Sequence, residues 1–269
     1  MFSLKKLAAT LVVGVSLLAV GCGGGDTAKE QVLKVGATPN PHAEILNLVK
    51  DDLAKDGYKL EVVEFNDYVQ PNLATNDGEL AANFFQHLPY LEDFTKEHPE
   101  VKLVSAAGIH IEPMGLYSNN FKSVAEVTDG AKVSIPNDPT NGGRALLLLQ
   151  KAGLIKLADG VGITATVQDV IDNPKNIQFV ELEAAQIPRT LADVDMAVIN
   201  SNFALQVPLN PVKDSIFIED KDSPYVNIIA VKAGSENNPE IKALVKAIET
   251  EKVKEFINSK YDGAVVPVF

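Results

Sequence analysis

KVSIPNDPTNGGRALLLL, residues 132–149, carries a strong indication of the fold class. Its first residues, 132–135, form a short strand-like apolar run, and an apolar helical run begins a few residues later. Between them, Asp138 can cap a helix and Pro139 suits its first turn. A strand that passes directly into a helix is typical of α/β domains, in which ligands lie at the carboxyl ends of strands beside helix N-termini.

The same stretch carries a candidate anion site. Gly142 and Gly143 would allow a ligand to approach closely, and Arg144 offers a planar fork for a carboxylate. Arginine occurs only at positions 144 and 189, whereas lysine is plentiful, which favours a recognition role for Arg144. The alternative is a surface arginine paired with a local acid.

Outward from this stretch, strand and helix patterns alternate along the chain. Upstream, the strand patterns cover residues 32–36, 60–65, 81–85 and 101–107, with helix patterns from Asn40-Pro41 to about Lys55 and at 89–96. Downstream, strand patterns at 177–182, 196–199 and 225–231 accompany helix patterns at 184–192, 239–250 and 252–259. We therefore predict an α/β protein.

The N-terminus has the pattern of an export signal. Lys5 and Lys6 precede an uncharged apolar run, residues 7–20, that is shorter than the ~20 residues of a membrane-spanning helix. The run ends in Gly21 and Cys22, and residues 18–22 resemble a bacterial lipobox, in which cleavage before the cysteine is coupled to its acylation. We predict a signal peptide at 1–21 and an acylated Cys22 on a flexible tether, 22–30. The alternatives are an uncleaved anchor and an ordinary secreted protein.

Composition limits the partners. Loss of Lys5 and Lys6 with the signal peptide lowers the net charge from −12 to −14, so the surface does not suit nucleic acid or anionic lipid heads. Cys22 is the only cysteine, which excludes an intramolecular disulfide and leaves its thiol for lipid attachment.

Residues 22–269 exceed the usual size of one core, so we predict two lobes. The first comprises 31–115 and 224–269, and the second comprises 116–223.

Aromatic residues cluster in one short region of the chain. Tyr68, Phe84, Phe85 and Tyr90 fall close together, interleaved with His87 and its polar neighbour at position 86. Adjacent residues of a strand point to opposite faces, so at most one of the two phenylalanines belongs to the core and the other can wall a pocket. Rings of this kind suit an apolar, soft ligand side chain, although ordinary core packing explains the cluster equally well.

Two asparagines stand out because they adjoin or interrupt apolar strands. Asn200 ends the strand pattern at 196–199, and Asn227 lies inside the pattern at 225–231. A buried amide without a partner costs ~1–3 kcal/mol, which favours a specific role for Asn227. Turn formation explains Asn200 about as well as ligand binding does, and Asn202 is a weaker candidate.

No catalytic motif is present. The chain lacks a phosphate loop, a His-Glu-x-x-His zinc motif, a cysteine pair and a nucleophile elbow. The four histidines lack metal-type spacing, so we predict neither a metal nor a cofactor; the alternative is a metal carrier in which folding brings two or three of them together. We expect a protein that is not an enzyme.

Six motifs in order resemble the NlpA family of lipoproteins, the substrate-binding components of methionine ABC importers. They are NDYV at 66–69 with Pro71-Asn72, FQH at 85–87 with Pro89-Tyr90, PNDPTN at 136–141 with Gly143-Arg144, ELE at 181–183 with Gln186, Pro188 and Arg189, AVIN at 197–200, and DSPYVN at 222–227. The resemblance implies a two-lobed periplasmic-binding-protein-like fold with a hinge and an interlobe ligand cleft. It also implies a lipid-anchored protein facing the periplasm or cell exterior, which delivers methionine to an ABC permease and its ATPase.

The resemblance also implies roles for seven residues. The side-chain pocket would be walled by Tyr68, Phe85, His87 and Tyr90. The carboxylate would be held by Arg144, and the amino-acid backbone groups by Asn200 and Asn227. No acid in these motifs obviously meets the ammonium, which leaves backbone carbonyls and asparagine oxygens, with Glu183 and Asp195 as weaker alternatives. The alternatives are another small amino acid or a methionine-containing dipeptide as ligand, and, in other classes, an anchored hydrolase or a ligand-free adhesin.

Overall fold

The structure is a computed structural model that describes residues 31–269. The predicted signal peptide, Cys22 and the tether lie outside these residues. The described strands form a six-stranded sheet, a five-stranded sheet and a two-stranded pair. In chain order the strands are β1 Gln31–Ala37, β2 Tyr58–Glu64, β3 Ala82–His87, β4 Leu103–Ile111, β5 Gly115–Tyr117, β6 Lys132–Pro136, β7 Lys156–Leu157, β8 Val170–Asp172, β9 Gln178–Leu182, β10 Met196–Ile199, β11 Phe217–Ile218, β12 Val226–Lys232 and β13 Val266–Pro267.

The helices are mostly short. In chain order they are α1 Glu44–Leu48, α2 Lys50–Lys55, α3 Gln70–Asp77, α4 Leu88–Glu97, α5 Pro139–Lys151, α6 Ile187–Thr190, α7 Ser201–Ala204, α8 Pro211–Asp214, α9 Pro239–Ile248 and α10 Glu251–Tyr261. A π-helical turn covers Pro39–Ala43, and 3-10 turns cover Val124–Glu126, Val167–Asp169 and Ala184–Gln186. Within residues 31–269, no helix has the length and apolar character needed to cross a bilayer.

The six-stranded sheet has the order β13-β4-β12-β3-β1-β2. Strand β1 pairs in parallel with β2 and β3, whereas β12 runs antiparallel between β3 and β4. In this register Asn227 of β12 lies opposite His87 on one side and His110 on the other. The strand pairing therefore gathers three polar residues from distant parts of the chain at one end of the sheet.

The five-stranded sheet has the order β11-β5-β10-β6-β9. Strand β6 pairs in parallel with β9 and β10, and β10 runs antiparallel to β5. The helix after β6, α5, begins where the sequence predicts, because the Asp138 side chain accepts a hydrogen bond from the backbone N–H of Asn141 and Pro139 follows the cap. The parallel strands β6 and β10 therefore present their carboxyl ends, followed by α5 and α7, at one edge.

Each sheet carries apolar clusters on its faces. In the six-stranded sheet, Phe84 belongs to the core that includes α1, α2, α9 and α10, whereas the adjacent Phe85 packs in a different cluster with α4. Opposite strand faces explain this separation. Tyr68 packs against that second cluster and also against a cluster on the five-stranded sheet that includes Phe203. The Tyr68 ring therefore connects the two sheets.

The chain crosses between the sheets at residues 112–114 and 219–225, since β4 ends at Ile111, β5 begins at Gly115 and β12 resumes the first sheet at Val226. Gly115 thus pairs in the second sheet, one residue earlier than the lobe boundary that we predict. The lobe limits of 31–115 with 224–269 and 116–223 otherwise stay a prediction.

Two predicted helices differ from the structure. The pattern from Asn40 to Lys55 is divided, because Val49, with φ −101° and ψ 2°, separates α1 from α2. Asn40 is extended, with φ −121° and ψ 138°, which is the backbone expected of an N-cap before a proline. The helix predicted at 184–192 is a 3-10 turn followed by the four-residue α6, with Pro188 in its first turn.

Candidate ligand-binding site

A cavity lies between the two sheets, with an empty volume of about 320 Å³. The lining residues come from the segment before α3, from the ends of β3, β4 and β10, from α4, α5 and α7, and from β12. They are Tyr68, Phe85, Gln86, His87, Tyr90, Glu112, Asn141, Arg144, Asn200, Ser201, Asn202 and Asn227. All seven predicted site residues are in this set, so the structure brings them together, and their roles toward a ligand stay predictions.

The aromatic residues form one wall of the cavity. The Tyr68 ring lies 5.7 Å from the Phe85 ring, 5.7 Å from the Tyr90 ring and 5.0 Å from the Phe203 ring, measured between centroids. The Tyr68 hydroxyl donates to Asn202 Oδ1 at 2.6 Å, and the Tyr90 hydroxyl donates to the Tyr68 carbonyl at 3.0 Å. Because both hydroxyls are hydrogen-bonded, the ring faces are what this wall offers to a ligand.

Tyr68 and Tyr90 also line a second, neighbouring cavity of about 460 Å³, together with residues such as Glu183 and Phe203. Residues that line both cavities lie between them, so these two rings form a partition. Glu183 therefore lies on the far side of the partition from the first cavity.

Polar contacts join the two halves of the site at Asn141, in the first turn of α5. Its Oδ1 accepts from Asn200 Nδ2 at 2.7 Å and from His87 Nε2 at 3.2 Å, and its Nδ2 donates to the carboxylate of the N-cap Asp138. His87 Nδ1 accepts from the Tyr90 backbone N–H, which leaves the proton on Nε2. Burial, helped by the charge of Arg144, lowers the pKa of His87 to about 3, so the ring is neutral and its Nε2–H binds Asn141.

Arg144 is buried in the cavity wall and already has an acidic partner. Its Nε and Nη2 donate to the two oxygens of Glu219 at 2.9 and 2.5 Å, and Nη2 also donates to the Glu112 carbonyl at 2.8 Å. The guanidinium carbon lies 4.1 Å from the centre of the Tyr225 ring. The planar fork that the sequence assigns to a ligand carboxylate is thus occupied by Glu219, and Nη1, which has no protein partner within residues 31–269, is the nitrogen left for a ligand.

The two glycines before Arg144 serve the protein rather than a ligand. A Cβ on Gly143 would lie 2.1 Å from the Ile163 carbonyl oxygen, and a Cβ on Gly142 would lie 2.9 Å from the Pro136 carbonyl oxygen. Their missing side chains allow α5 to pack against the neighbouring backbone. The expectation that they let a ligand approach is therefore wrong.

A buried acid, Glu112, lies at the polar end of the cavity. Its Oε1 is 2.8 Å from His110 Nε2 and 3.2 Å from His42 Nε2. Burial raises the pKa of the Glu112 carboxyl, and its interactions with His42 and with the charged Arg144 oppose that shift. The three side chains also place their ligand atoms within 4.8 Å of one another, but the two hydrogen bonds to one carboxylate oxygen explain this proximity without a metal.

Two buried polar atoms of the cavity lining have no hydrogen-bond partner in the described chain, Asn200 Oδ1 and Asn202 Nδ2. One is an acceptor and the other is a donor. Buried polar groups are nearly always paired, so this unused capacity is what a bound polar ligand would satisfy.

Sequence reasoning missed Glu112, and it quoted Asn141 only as part of a helix start. Glu112 directly follows β4 and is preceded by Ile111, so a charged residue at the end of an apolar strand was the available signal. Asp195, a weaker candidate for the ammonium, accepts hydrogen bonds from the Asn120 side chain and the Lys132 backbone instead and does not line the cavity.

Two α/β halves with a mixed aromatic and polar cavity between them define a solute-binding protein of the periplasmic-binding-protein class. The NlpA lipoprotein family model matches residues 33–269, and the chain belongs to this family. It is 45% identical to the D-methionine-binding lipoprotein MetQ of Escherichia coli K12, over 98% of both chains, and 42% identical to the methionine-binding lipoprotein MetQ of Bacillus subtilis, over 98% of this chain and 99% of the relative. A nutrient-binding protein from Burkholderia cenocepacia bound to methionine superposes with a TM-score of 0.85 at 48% identity, covering 88% of this chain and all of the other.

Proposed function

We propose that this protein binds free methionine in the cavity between its two halves and delivers it to an ABC importer. The observation that carries the proposal is the division of one cavity into an aromatic wall and a polar end that holds a cation and an anion. The names of the relatives, which specify methionine, support the same ligand.

The aromatic wall suits the methionine side chain. A thioether gains ~0.3–1.5 kcal/mol from each sulfur–aromatic contact, and Tyr68, Phe85 and Tyr90 present ring faces at this wall. His87 adds a neutral ring whose Nε2–H is already used by Asn141. The partition formed by Tyr68 and Tyr90 closes this end, which favours a single amino acid over a dipeptide or a longer side chain.

The polar end suits the charged groups of an amino acid. Arg144 Nη1 would donate to the carboxylate, and Glu112 would accept from the ammonium, in place of the backbone carbonyls expected from the motifs alone. Asn200 and Asn227, with the unpaired atoms of Asn200 and Asn202, would complete the hydrogen bonds. A cation and an anion that face one cavity match an amino-acid zwitterion better than a sugar or a metal ion.

We further propose that the mature protein is held at the outer face of the membrane by acyl chains on Cys22, and that a permease and its ATPase receive the ligand. Membership in a lipoprotein family and the lipobox-like residues 18–22 support the anchor. Several acyl chains are needed for stable attachment, because one alone binds a membrane only marginally. Binding without turnover follows from this role, so the ligand leaves the cavity chemically unchanged.

Mass spectrometry of the small molecule that co-purifies with the protein tests the proposal. We expect methionine, recovered intact after denaturation. A different small amino acid or a methionine-containing dipeptide would correct the ligand but keep the class. A sugar or a metal would overturn the amino-acid proposal, and a hydrolysed dipeptide would instead indicate an anchored hydrolase. An adhesin predicts that no amino acid releases heat on titration into ligand-stripped protein.

A further inference from the structure

Both buried histidines below the cavity bind the same oxygen of Glu112. His110 Nε2 is 2.8 Å from Oε1, and His42 Nε2 is 3.2 Å from Oε1. Both histidines are fully buried, and neither lines the cavity. The ligand mechanism proposed above does not use them, so their arrangement around the carboxylate needs its own explanation.

The hydrogen-bond network assigns the tautomer of each ring. The Thr38 hydroxyl lies 2.7 Å from His42 Nδ1 and can donate to it, so Nε2 carries the proton that faces Glu112 Oε1 and Asn227 Oδ1, the latter at 3.1 Å. His110 Nδ1 is buried without a partner. A proton there would be an N–H group without an acceptor, so His110 carries its proton on Nε2 and donates it to Glu112.

Both rings act as neutral donors at neutral pH. Burial lowers the pKa of His42 to about 4, with His110 adding to the shift and Glu112 opposing it, and burial lowers the pKa of His110 to about 3. Neutral donors stabilise the ionised carboxylate without neutralising it. The charge of Glu112 is therefore available to a ligand cation.

The same contacts determine which atoms of Glu112 and Asn227 can still bind a ligand in the cavity. The two histidines occupy Oε1, the Asn202 backbone N–H also hydrogen-bonds to the carboxylate, and Oε2 accepts no side-chain hydrogen bond from the described residues. With Asn227 Oδ1 held by His42, the amide nitrogen of Asn227 likewise has no side-chain partner there. One histidine pair thus orients two residues of the cavity lining at once.

We propose that His42 and His110 are positioning residues for recognition of the ligand amine, which keep Glu112 ionised by binding its Oε1 and fix the Asn227 amide beside it. This inference rests on the proposed function, since it requires an amino-acid ligand. It predicts that affinity for the amine, but not for the rest of the ligand, depends on residues that the ligand never contacts.

A pH dependence follows. Burial raises the pKa of Glu112, and a bound ammonium favours the ionised carboxylate, so affinity should rise as pH increases through the pKa of the ligand-free protein. Removing a histidine N–H destabilises the ionised form and moves this rise to higher pH. The other titratable or charged groups that face Glu112 are Arg144 with its partner Glu219, Tyr68 and Tyr261, and they stay unchanged in the test below.

Calorimetry on ligand-stripped protein across a series of pH values compares methionine with its desamino analogue, which lacks only the amine. His110→Leu removes the donor at similar volume, whereas His110→Gln keeps an N–H near the Nε2 position. We expect His110→Leu to weaken methionine binding about ten- to a hundredfold and to move the pH dependence upward, with less than about a threefold change for the analogue. His110→Gln should restore binding, and His98→Gln, at a half-exposed surface histidine, should match the wild type.

Equal losses for both ligands would show a merely structural role and overturn the inference, as would an unchanged affinity and pH profile in His110→Leu. If that variant does not fold, Glu112→Gln replaces it, and retention of the pH dependence there would overturn the inference. A wild-type protein that binds neither ligand would overturn the proposed function instead, so the two failures are distinguishable.

Discussion

Arg144→Ala should reduce both stability and affinity, for separable reasons. Arg144 is nearly fully buried, and the Glu219 side chain is only 14% exposed, so the substitution leaves a largely buried carboxylate with the Met114 backbone N–H as its remaining hydrogen-bond donor. Removing one partner of a buried pair costs ~3–5 kcal/mol, and the partial exposure of Glu219 places the loss near the lower end, about 3 kcal/mol. Contact with the Tyr225 ring is lost as well.

The loss of affinity has a different origin. If Arg144 Nη1 holds the ligand carboxylate, its removal costs ~1.5–3 kcal/mol, which raises the dissociation constant about ten- to a hundredfold. The double substitution Arg144→Ala with Glu219→Gln separates the two effects, because it no longer strands a charge. We expect the double variant to recover at least about half of the lost stability while its affinity stays low.

Urea unfolding followed by circular dichroism measures stability, and calorimetry on refolded, ligand-stripped protein measures affinity. The chain has no tryptophan, which makes these probes preferable to intrinsic fluorescence. Arg189→Ala is the matched control, since Arg189 is exposed and does not line the cavity. Wild-type methionine affinity in Arg144→Ala would refute the carboxylate assignment, and affinity that recovers with stability in the double variant would show that Arg144 acts only by holding Glu219.

Three further outcomes are expected. Tyr68→Phe removes the hydrogen bond to Asn202 that joins the two halves, so calorimetry should show methionine affinity lower by about fivefold (~1 kcal/mol). Tyr90→Phe, which loses only a contact to a backbone carbonyl, should lower the affinity less. Equal losses in the two variants would contradict a role of Tyr68 in closure. Saturating methionine should reduce the radius of gyration of ligand-stripped protein in small-angle scattering, because the site draws on both halves, and an unchanged radius would argue against hinge closure. Cys22→Ala should release the folded protein into the soluble fraction, and its retention in washed membranes would indicate an uncleaved N-terminal anchor.

Sequence patterns predicted the features that depend only on residues close together in the chain. The Asp138 cap and Pro139 define the start of α5 through contacts within three residues, and the structure confirms that start. The separation of Phe84 from Phe85 follows from strand geometry alone. The divided helix before Lys55 shows the limit of periodicity, because the apolar spacing of Ile45, Val49 and Leu53 continues through Val49, where the backbone leaves the helical conformation.

The sequence by itself determined the class of site: an aromatic cluster, a rare arginine at a helix start, and asparagines beside apolar strands, in the order of one family. Only the tertiary structure decided what Arg144 binds in the protein and that Glu112, His42 and His110 form one network under the cavity. The physical reason is strand register. Asn227 meets His87 and His110 only because β12 pairs between β3 and β4 in one particular alignment, and a slip of one residue would turn its side chain to the opposite face. No pattern within a single segment encodes that alignment, since it depends on the packing of elements more than a hundred residues apart.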